Sequence, residues 1–281
     1  MFLQIKSNVL TYLKIGGYMS EHETKVQANH NEIEEACMKN YEDLTERELR
    51  IQLAASYRLV EELGWSFLIF GHLTARVPGP EKHFLINPYG LMYDEVTASN
   101  LVKIDLEGNI VEKSEWNINP AGFIIHSAIH SSKENAHCVM HTHTNAGMAM
   151  AALKQGLINI DFSGSAFHKK VAYHDFEGVT LRNDECERIA NDLGDKSIMI
   201  LKNHGLLTTG PTVAEAFLKL YTLESACKVQ LMARACGEEL EYVPSNILDR
   251  HAKDLKDAGS YKLAFRALVR RMLKKDSSFI L

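Results

Sequence analysis

The sequence has little of what marks several large protein classes. Its five cysteines among 281 residues are scattered and form no CxxC pair, which favours a reducing cytoplasm over a disulfide framework. It has no excess of basic residues, and its net charge of −5 predicts no nucleic-acid partner. Internal repeats, low-complexity stretches and a glycine-rich phosphate loop are also missing. The 46% of hydrophobic residues is ordinary for a globular chain.

Residues 1–18 do not look like a signal peptide or a membrane span. Apolar residues alternate there with Lys6 and Lys14, and the segment is too short and too polar to cross a bilayer. We interpret it as a mobile tail. The alternatives are a short amphipathic helix that packs locally or at a subunit contact, and a true start at Met19. We predict no membrane partner.

Three histidines dominate the features that are present. The apolar run 138–140 is typical of a buried strand, and His141 and His143 follow it. Because alternate strand residues point to one side, both imidazoles are expected to project together. A second apolar run, 198–201, leads to His204. Three neutral imidazoles are typical of a catalytic metal site, but among 13 histidines spacing alone leaves a surface or core pair equally open.

Alternating strand and helix patterns predict a mixed α/β sheet in one large domain with terminal additions. We predict strands over residues 65–77, with a turn at Gly71, and over residues 83–88. Residues 102–106 and 110–112 are predicted to pair as a hairpin across a Glu-Gly-Asn turn.

Capping signals predict the helices. These cover residues 49–63 after the Thr45/Glu48 capping box, 120–132 with Asn119 before it and Pro120 at its first position, 184–193 after Asn183, and 213–236 after the Thr212/Glu215 capping box. His126 and His130 share a face of the second helix and are candidate metal ligands by spacing. An amphipathic helix over 260–275 has a basic face, which we interpret as solvated, with partner or membrane binding as the alternative.

Several segments resemble a known family. VMHTHTNAG and LKNHGLLTTGPTVAEAF resemble the two signature segments of the aldolase class II/adducin superfamily, and NPAGFIIHSAIH and VAYHDFEG resemble its adducin-like branch. The similarity runs from about Leu44 to Gly237. It implies a three-layer α/β/α domain at residues 44–240, between an N-terminal extension at 1–43 and a C-terminal helical tail at 241–281.

The resemblance also implies a cofactor and an assembly. The family's catalytic members hold a divalent cation, usually zinc, with the histidines that match His141, His143 and His204. They assemble as fourfold-symmetric homotetramers, and His126 becomes a core or supporting histidine. We expect an apolar patch from residues 121–129 and 157–167 to be buried between subunits.

The sequence departs from the family's sugar-phosphate aldolases at the substrate-binding positions. Gly122 stands where they carry the acid/base residue, and Glu115 lies seven residues too early to replace it. Phosphate-holding and catalytic side chains are also exchanged, at His72, Tyr89, Pro120, Ala121 and Phe162. Because a phosphate dianion needs several charge-assisted donors, phosphosugar chemistry is disfavoured.

We therefore expect a metal-dependent lyase acting on a small carbonyl or carboxylate compound through a metal-stabilised enediolate. Aldehyde-lyase cleavage or decarboxylation would share that intermediate, and His72, Tyr89 or a metal-bound water would transfer the proton. The alternative is a non-catalytic interaction module similar to the adducin head. Actin or spectrin binding is not expected, because the long basic adducin tail is missing.

Overall fold

The computed structural model describes residues 21–179, 184–258 and 260–281, with the side chains of 21–28, 252 and 256–258 excepted. The proposed tail at residues 1–18 and the cap at Asn183 lie outside the described residues. The strands are β1 (His72–Arg76), β2 (Phe84–Ile86), β3 (Val102–Ile104), β4 (Cys138–Thr142), β5 (Val171–His174), β6 (Ile198–Leu201) and β7 (Gly205–Gly210). The helices are α1 (Glu21–Ala36), α2 (Glu46–Glu62), α3 (Pro120–Ser132), α4 (Asn145–Ala151), α5 (Phe162–Ser165), α6 (Asp184–Leu193), α7 (Val213–Ala235), α8 (Ser245–Ala258) and α9 (Tyr261–Lys275).

The strands form one sheet in the order β3-β2-β1-β4-β7-β6-β5. Only β5 and β6 pair in parallel, and the other neighbours are antiparallel. The largest apolar core joins one sheet face to α2 and α7, and includes residues of α1 and α9. A second core lies between the other face and helices α3 and α6. The predicted three-layer α/β/α architecture is confirmed.

The first capping box forms as predicted. The Thr45 hydroxyl accepts from the Glu48 amide at 3.3 Å, and the Thr45 amide donates to the Glu48 carboxylate at 2.9 Å. At the start of α7, Thr212 accepts from the Glu215 amide at 3.2 Å. The Glu215 carboxylate pairs with Lys219 at 2.8 Å, so it serves an i,i+4 ion pair rather than the reciprocal cap.

Two strand predictions are too long. Within residues 65–77 the sheet holds only β1, because Leu68 at φ 53° and Gly71 at φ 86° turn the chain out of the extended conformation. The predicted hairpin after β3 is reduced to one bridge between Ile104 and Ile110. The Asp105 carboxylate accepts from two amides of the turn, and the apolar side chains of Ile110 and Val111 in the second segment remain 39% exposed.

Helix α9 packs against α1, α2 and α7, whereas α8 packs against α5. Arg266 and Arg270 of α9 each lie 3.1 Å from the buried Glu34 carboxylate of α1. Part of the basic face that we interpreted as solvated therefore holds α1 in place. Helix α8 lies within the segment predicted as a helical tail, although its bounds were not predicted. Among the described residues, no helix combines the length and apolarity that crossing a bilayer requires.

Candidate metal centre

Strand ends bring the three histidines together. β4 runs antiparallel to β7, with His141 opposite Leu207. His204 lies in the tight turn between β6 and β7, where its amide donates to Leu201 at 3.0 Å. Asn203 in that turn has φ 56°, a left-handed conformation that asparagine tolerates better than most residues. The turn therefore directs His204 toward the end of β4.

The three side chains converge on one point. His143 Nε2 is 2.8 Å from His141 Nε2 and 2.9 Å from His204 Nε2. In the described part of the chain this is the one group of three or more potential metal ligands, with ligand atoms within 4.8 Å of one another. We name it the histidine cluster.

The protonation of the cluster suits a cation. His141 Nδ1 lies 2.9 Å from the Leu206 carbonyl, which can only accept, so Nδ1 carries the proton and Nε2 presents a lone pair to the cluster. Metal-ligating histidines commonly donate their other nitrogen to a backbone carbonyl in this way. Burial and the neighbouring His204 lower the pKa of His143 to about 4, so its ring is neutral near neutral pH. Three neutral imidazoles are a donor set that zinc accepts.

Gly205 is required for this close packing. A Cβ at that position would lie 2.5 Å from the Thr142 carbonyl oxygen, 3.2 Å from the His143 ring and 3.3 Å from the His141 ring. Any larger residue would push β7 away from β4 and separate the ligands. The glycine after His204 is thus part of the geometry that holds the cluster.

His72 lies beside the cluster, at the start of β1 and opposite His141 in the sheet. Its ring covers Gly122, where a Cβ would come within 2.5 Å of the imidazole. The side chain is buried, and neither ring nitrogen has a hydrogen-bond partner among the described residues. Burial, together with His143 and His204, lowers the pKa of His72 to about 3. The structure thus places a neutral imidazole in the space over Gly122.

A cavity of about 560 Å³ opens onto the cluster and onto His72. Its wall is mainly apolar, with Phe70, Ile125, Met148 and Phe176 among the lining residues. Tyr89 stands at its rim with 40% of its surface exposed. Among the described lining residues there is no lysine or arginine. A larger cavity of about 740 Å³ lies at the other end of the sheet and contains none of the three histidines.

The sequence profile described as the Class II Aldolase and Adducin N-terminal domain matches residues 51–231, which include the whole histidine cluster. The chain belongs to the class II aldolase and adducin family. The family and the fold class expected from the signature segments are confirmed.

The relatives of this chain include both proteins named as class 2 aldolases and adducins. A protein of Caulobacter vibrioides whose name assigns it to the class 2 aldolases is 50% identical over 194 residues, covering 69% of this chain and 76% of its own length. Alpha-adducin of Rattus norvegicus is 43% identical over 230 residues, which cover 80% of this chain and 30% of the adducin.

Two solved structures share the fold. An aldolase II superfamily protein of Pseudomonas syringae has a TM-score of 0.81 and 43% identity, covering 85% of this chain and 97% of its own. L-fuculose 1-phosphate aldolase of Glaciozyma antarctica has a TM-score of 0.74 and 29% identity, covering 83% and 92% of the two chains.

The structure separates the other candidates from the cluster. His126 and His130 do not join the three ligands, and both bond the Thr74 hydroxyl inside the core, at 2.6 and 2.8 Å. Glu115 is exposed and does not line the 560 Å³ cavity. Phe162 is also outside that cavity in this chain, with 72% of its surface exposed.

Two aromatic contacts at the cluster were not predicted. Phe67 packs edge-on against His143 at a centroid distance of 5.9 Å, and Phe176 packs against His204 at 6.3 Å. Both rings come from irregular segments, where periodicity gives no signal. A buried carboxylate was also missed: Glu224 accepts from Thr144 at 2.5 Å, beside His143, and burial raises its pKa.

Proposed function

We propose that this protein is a divalent-metal-dependent lyase, with zinc as the cation, acting on a small carbonyl or carboxylate compound. The observation that carries the proposal is the convergence of His141, His143 and His204 Nε2 atoms at a mainly apolar cavity. Family membership supports it, since class II aldolases are metal-dependent. When bound there, the cation would act as a Lewis acid toward substrate oxygens during carbon–carbon cleavage or decarboxylation.

The chain's own residues would orient the ligands and limit water. The Leu206 carbonyl holds His141 in one tautomer and one ring orientation. The rings of Phe67 and Phe176 flank the outer two histidines and reduce their contact with solvent. A drier site strengthens every charge–dipole interaction with the substrate.

His72 is our candidate for proton transfer. Its ring occupies the space over Gly122 and lines the cavity beside the cluster. A neutral imidazole can hold a proton at one nitrogen and accept one at the other. Tyr89, at the cavity rim, is the second candidate, because its phenol can donate to a substrate oxygen.

The cavity supports an uncharged substrate tail. A bound phosphate dianion needs charge-assisted donors, and the described lining residues include neither lysine nor arginine. The Glaciozyma neighbour is named an L-fuculose 1-phosphate aldolase, but we propose that this chain acts poorly on such phosphates. The loss of an acid/base group alone removes about 10²–10⁴-fold of rate.

Turnover assays on zinc-loaded protein test this function. We expect lyase activity on a panel of unphosphorylated hydroxycarbonyl and 2-oxocarboxylate compounds, with rates on fuculose and ribulose phosphates at least about 10²-fold lower. His141→Ala should abolish activity together with the metal, whereas His72→Asn should lower activity with the metal retained. Rapid phosphosugar cleavage would contradict the proposal, and Glu115→Gln would then identify the acid.

The alternative is a non-catalytic interaction module. The 43% identity to rat alpha-adducin favours it, as does the glycine at position 122. Zinc-loaded protein that turns over no member of the panel, yet keeps its fold and metal, would favour the module over the enzyme.

We also propose a fourfold-symmetric homotetramer in the cytoplasm, where five unpaired cysteines are compatible with reducing conditions.

The residues expected at the subunit interface need a correction. Most of residues 121–129 are already buried, by α6 and the sheet, whereas Phe162 is exposed. Light scattering should show a tetramer that Phe162→Asp weakens. A stable 31.7 kDa monomer that binds metal would contradict the assembly.

A further inference from the structure

A polar seam lies between α3 and β1, behind the metal cavity. Gly122, His126 and His130 are four residues apart, so they form one stripe along α3. His72 and Thr74 alternate along β1 and face that stripe. All five residues are buried. This α3–β1 seam leads from the cavity, at His72, into the core, at His130.

Hydrogen-bond directions at the inner end can be assigned from chemistry. His130 Nδ1 lies 2.9 Å from the Ala136 carbonyl, which can only accept, so Nδ1 carries a proton. Burial lowers the pKa of His130 to about 3, which keeps the ring neutral. Its Nε2 is therefore an acceptor, and the Thr74 hydroxyl, 2.8 Å away, donates to it.

The same reasoning assigns the tautomer of His126. Thr74 has a single hydroxyl proton, which it gives to His130, so its oxygen accepts from His126 Nδ1 at 2.6 Å. Burial keeps His126 neutral by lowering its pKa well below the ordinary value. Its Nε2 must then carry a lone pair. That atom is buried and has no hydrogen-bond partner among the described residues.

The ring that carries the unpartnered acceptor packs against the ring of His72, whose nitrogens are also unpartnered within the described residues. The rings of His126 and His72 pack edge-to-face at a centroid distance of 5.9 Å. Neutral His72 carries one N–H, and neither of its nitrogens is bonded within the described chain. Buried polar groups in folded proteins are nearly always paired, directly or through one water.

We propose that His126 is a positioning residue for His72. The hydrogen-bond chain Ala136–His130–Thr74–His126 leaves the His126 Nε2 lone pair for the His72 N–H, which it reaches through one bridging water. His72, which lines the cavity, is thereby held in one tautomer. Only the role of His72 in proton transfer rests on the proposed function.

A core histidine without this role gives a different expectation. It would fill space and bond Thr74, and its removal would change stability but not the proton distribution in His72. The tautomer of His72 therefore separates positioning from packing.

The direct test is two-bond ¹H–¹⁵N correlation spectroscopy of the full-length, zinc-loaded protein, labelled at histidine. We expect His126 and His130 to be protonated at Nδ1 alone and His72 to populate a single tautomer. A proton on His126 Nε2 would overturn the assignment. So would an equal mixture of tautomers at His72.

Matched threonine variants extend the test. Thr74→Val removes the hydroxyl that sets the direction of this hydrogen-bond chain. We expect both His126 and His72 to become mixtures of tautomers, while the zinc content stays unchanged. Thr74→Ser should restore the wild-type spectrum. The control is Thr142→Val on β4, where the hydroxyl is buried and unpartnered within the described residues. It should leave the signals of His126 and His72 unchanged.

Substitution of His126 gives an independent readout if Thr74→Val does not fold. His126→Phe removes the acceptor, and His126→Gln returns an amide oxygen near the Nε2 position. We expect the His72 tautomer to be lost in the first variant and recovered in the second. An unchanged His72 signal in His126→Phe would overturn the positioning role. These spectra need no substrate, so failure of the lyase proposal would leave them interpretable.

Discussion

The two walls of the metal cavity follow the family's pattern to different degrees. On one wall, β4 and the β6–β7 turn carry His141, His143 and His204 in the expected places. On the facing wall, α3 and β1 carry Gly122 and His72, two of the positions at which the sequence departs from the sugar-phosphate aldolases it resembles. We propose that the first is a ligand wall and the second a proton-transfer wall. By the resemblance to the family, the ligand wall keeps the family's residue types and the proton-transfer wall has exchanged them.

The difference follows from what each wall must hold. Three nitrogens can surround one cation only if strand register and the Gly205 turn are kept, so no ligand can be moved alone. A proton-transfer group only has to reach the cavity. Since α3 and β1 face each other, the ring of His72 can fill the space left at Gly122.

Gly122→Glu should have the largest effect on the proton-transfer wall. Its Cβ would lie 2.5 Å from the buried His72 ring and would bring a carboxylate into the core. We expect a loss of about 3 kcal/mol or more in the free energy of unfolding, measured by urea denaturation. In the double variant with His72→Asn, much of that loss should be recovered. Equal stability of the single and double variants would contradict the claim that the His72 ring fills the space over Gly122.

Gly205→Ala tests the ligand wall. The added methyl group would lie 2.5 Å from the Thr142 carbonyl, and we expect a loss of about 1–3 kcal/mol in unfolding free energy. Zinc affinity should fall as well, because β7 carries the turn of His204. The stability loss should persist after chelation, since the clash is with backbone. A variant with unchanged stability and zinc affinity would show that this wall tolerates movement.

His130→Leu tests the buried end of the proton-transfer wall through pH. The folded-state pKa of His130 is about 3, below the ordinary 6.5, so the unfolded chain binds its proton first as the pH falls. The titration of His130 therefore does not change the free energy of unfolding above pH 6.5. Below that pH it lowers the free energy of unfolding progressively, down to about pH 3. In chelated protein, the slope of the unfolding free energy against pH in this range should be smaller in the variant than in the wild type, by about 1.4 kcal/mol per pH unit. Identical slopes between pH 7 and 5 would contradict a buried neutral ring.

His72→Asn should have the smallest effect on metal content. If His72 belongs to the proton-transfer wall alone, zinc per chain should equal that of the wild type by elemental analysis. A fall comparable to that in His141→Ala would move His72 into the ligand set and remove the distinction between the walls.

Local signals in the sequence predicted much of this arrangement. Apolar runs and capping residues located β4, β6, α2 and α3, because those elements have one buried side or a defined N-cap. The His-x-His spacing predicted two of the converging imidazoles. Residues 65–71 were assigned to strand because their apolar composition hides the left-handed conformations of Leu68 and Gly71.

Other features depend on distant contacts and leave no local pattern. The ring of His72 over Gly122 requires the packing of α3 on β1, and spacing suggested no more than a shared face for His126 and His130. The expectation that residues 121–129 form an exposed apolar patch is wrong for the same reason. Apolar residues of α3 are covered by α6, which follows them by more than fifty positions in the chain.

Metal analysis of protein purified without an affinity tag is the most direct test of the account. After chelation and reloading, we predict close to one zinc per chain in the wild type and in His126→Gln, and none in His141→Ala. Structured zinc sites hold their ion tightly, so less than about a tenth of an equivalent in the wild type would contradict a metal centre. Zinc retained at the wild-type level in His141→Ala would contradict it equally.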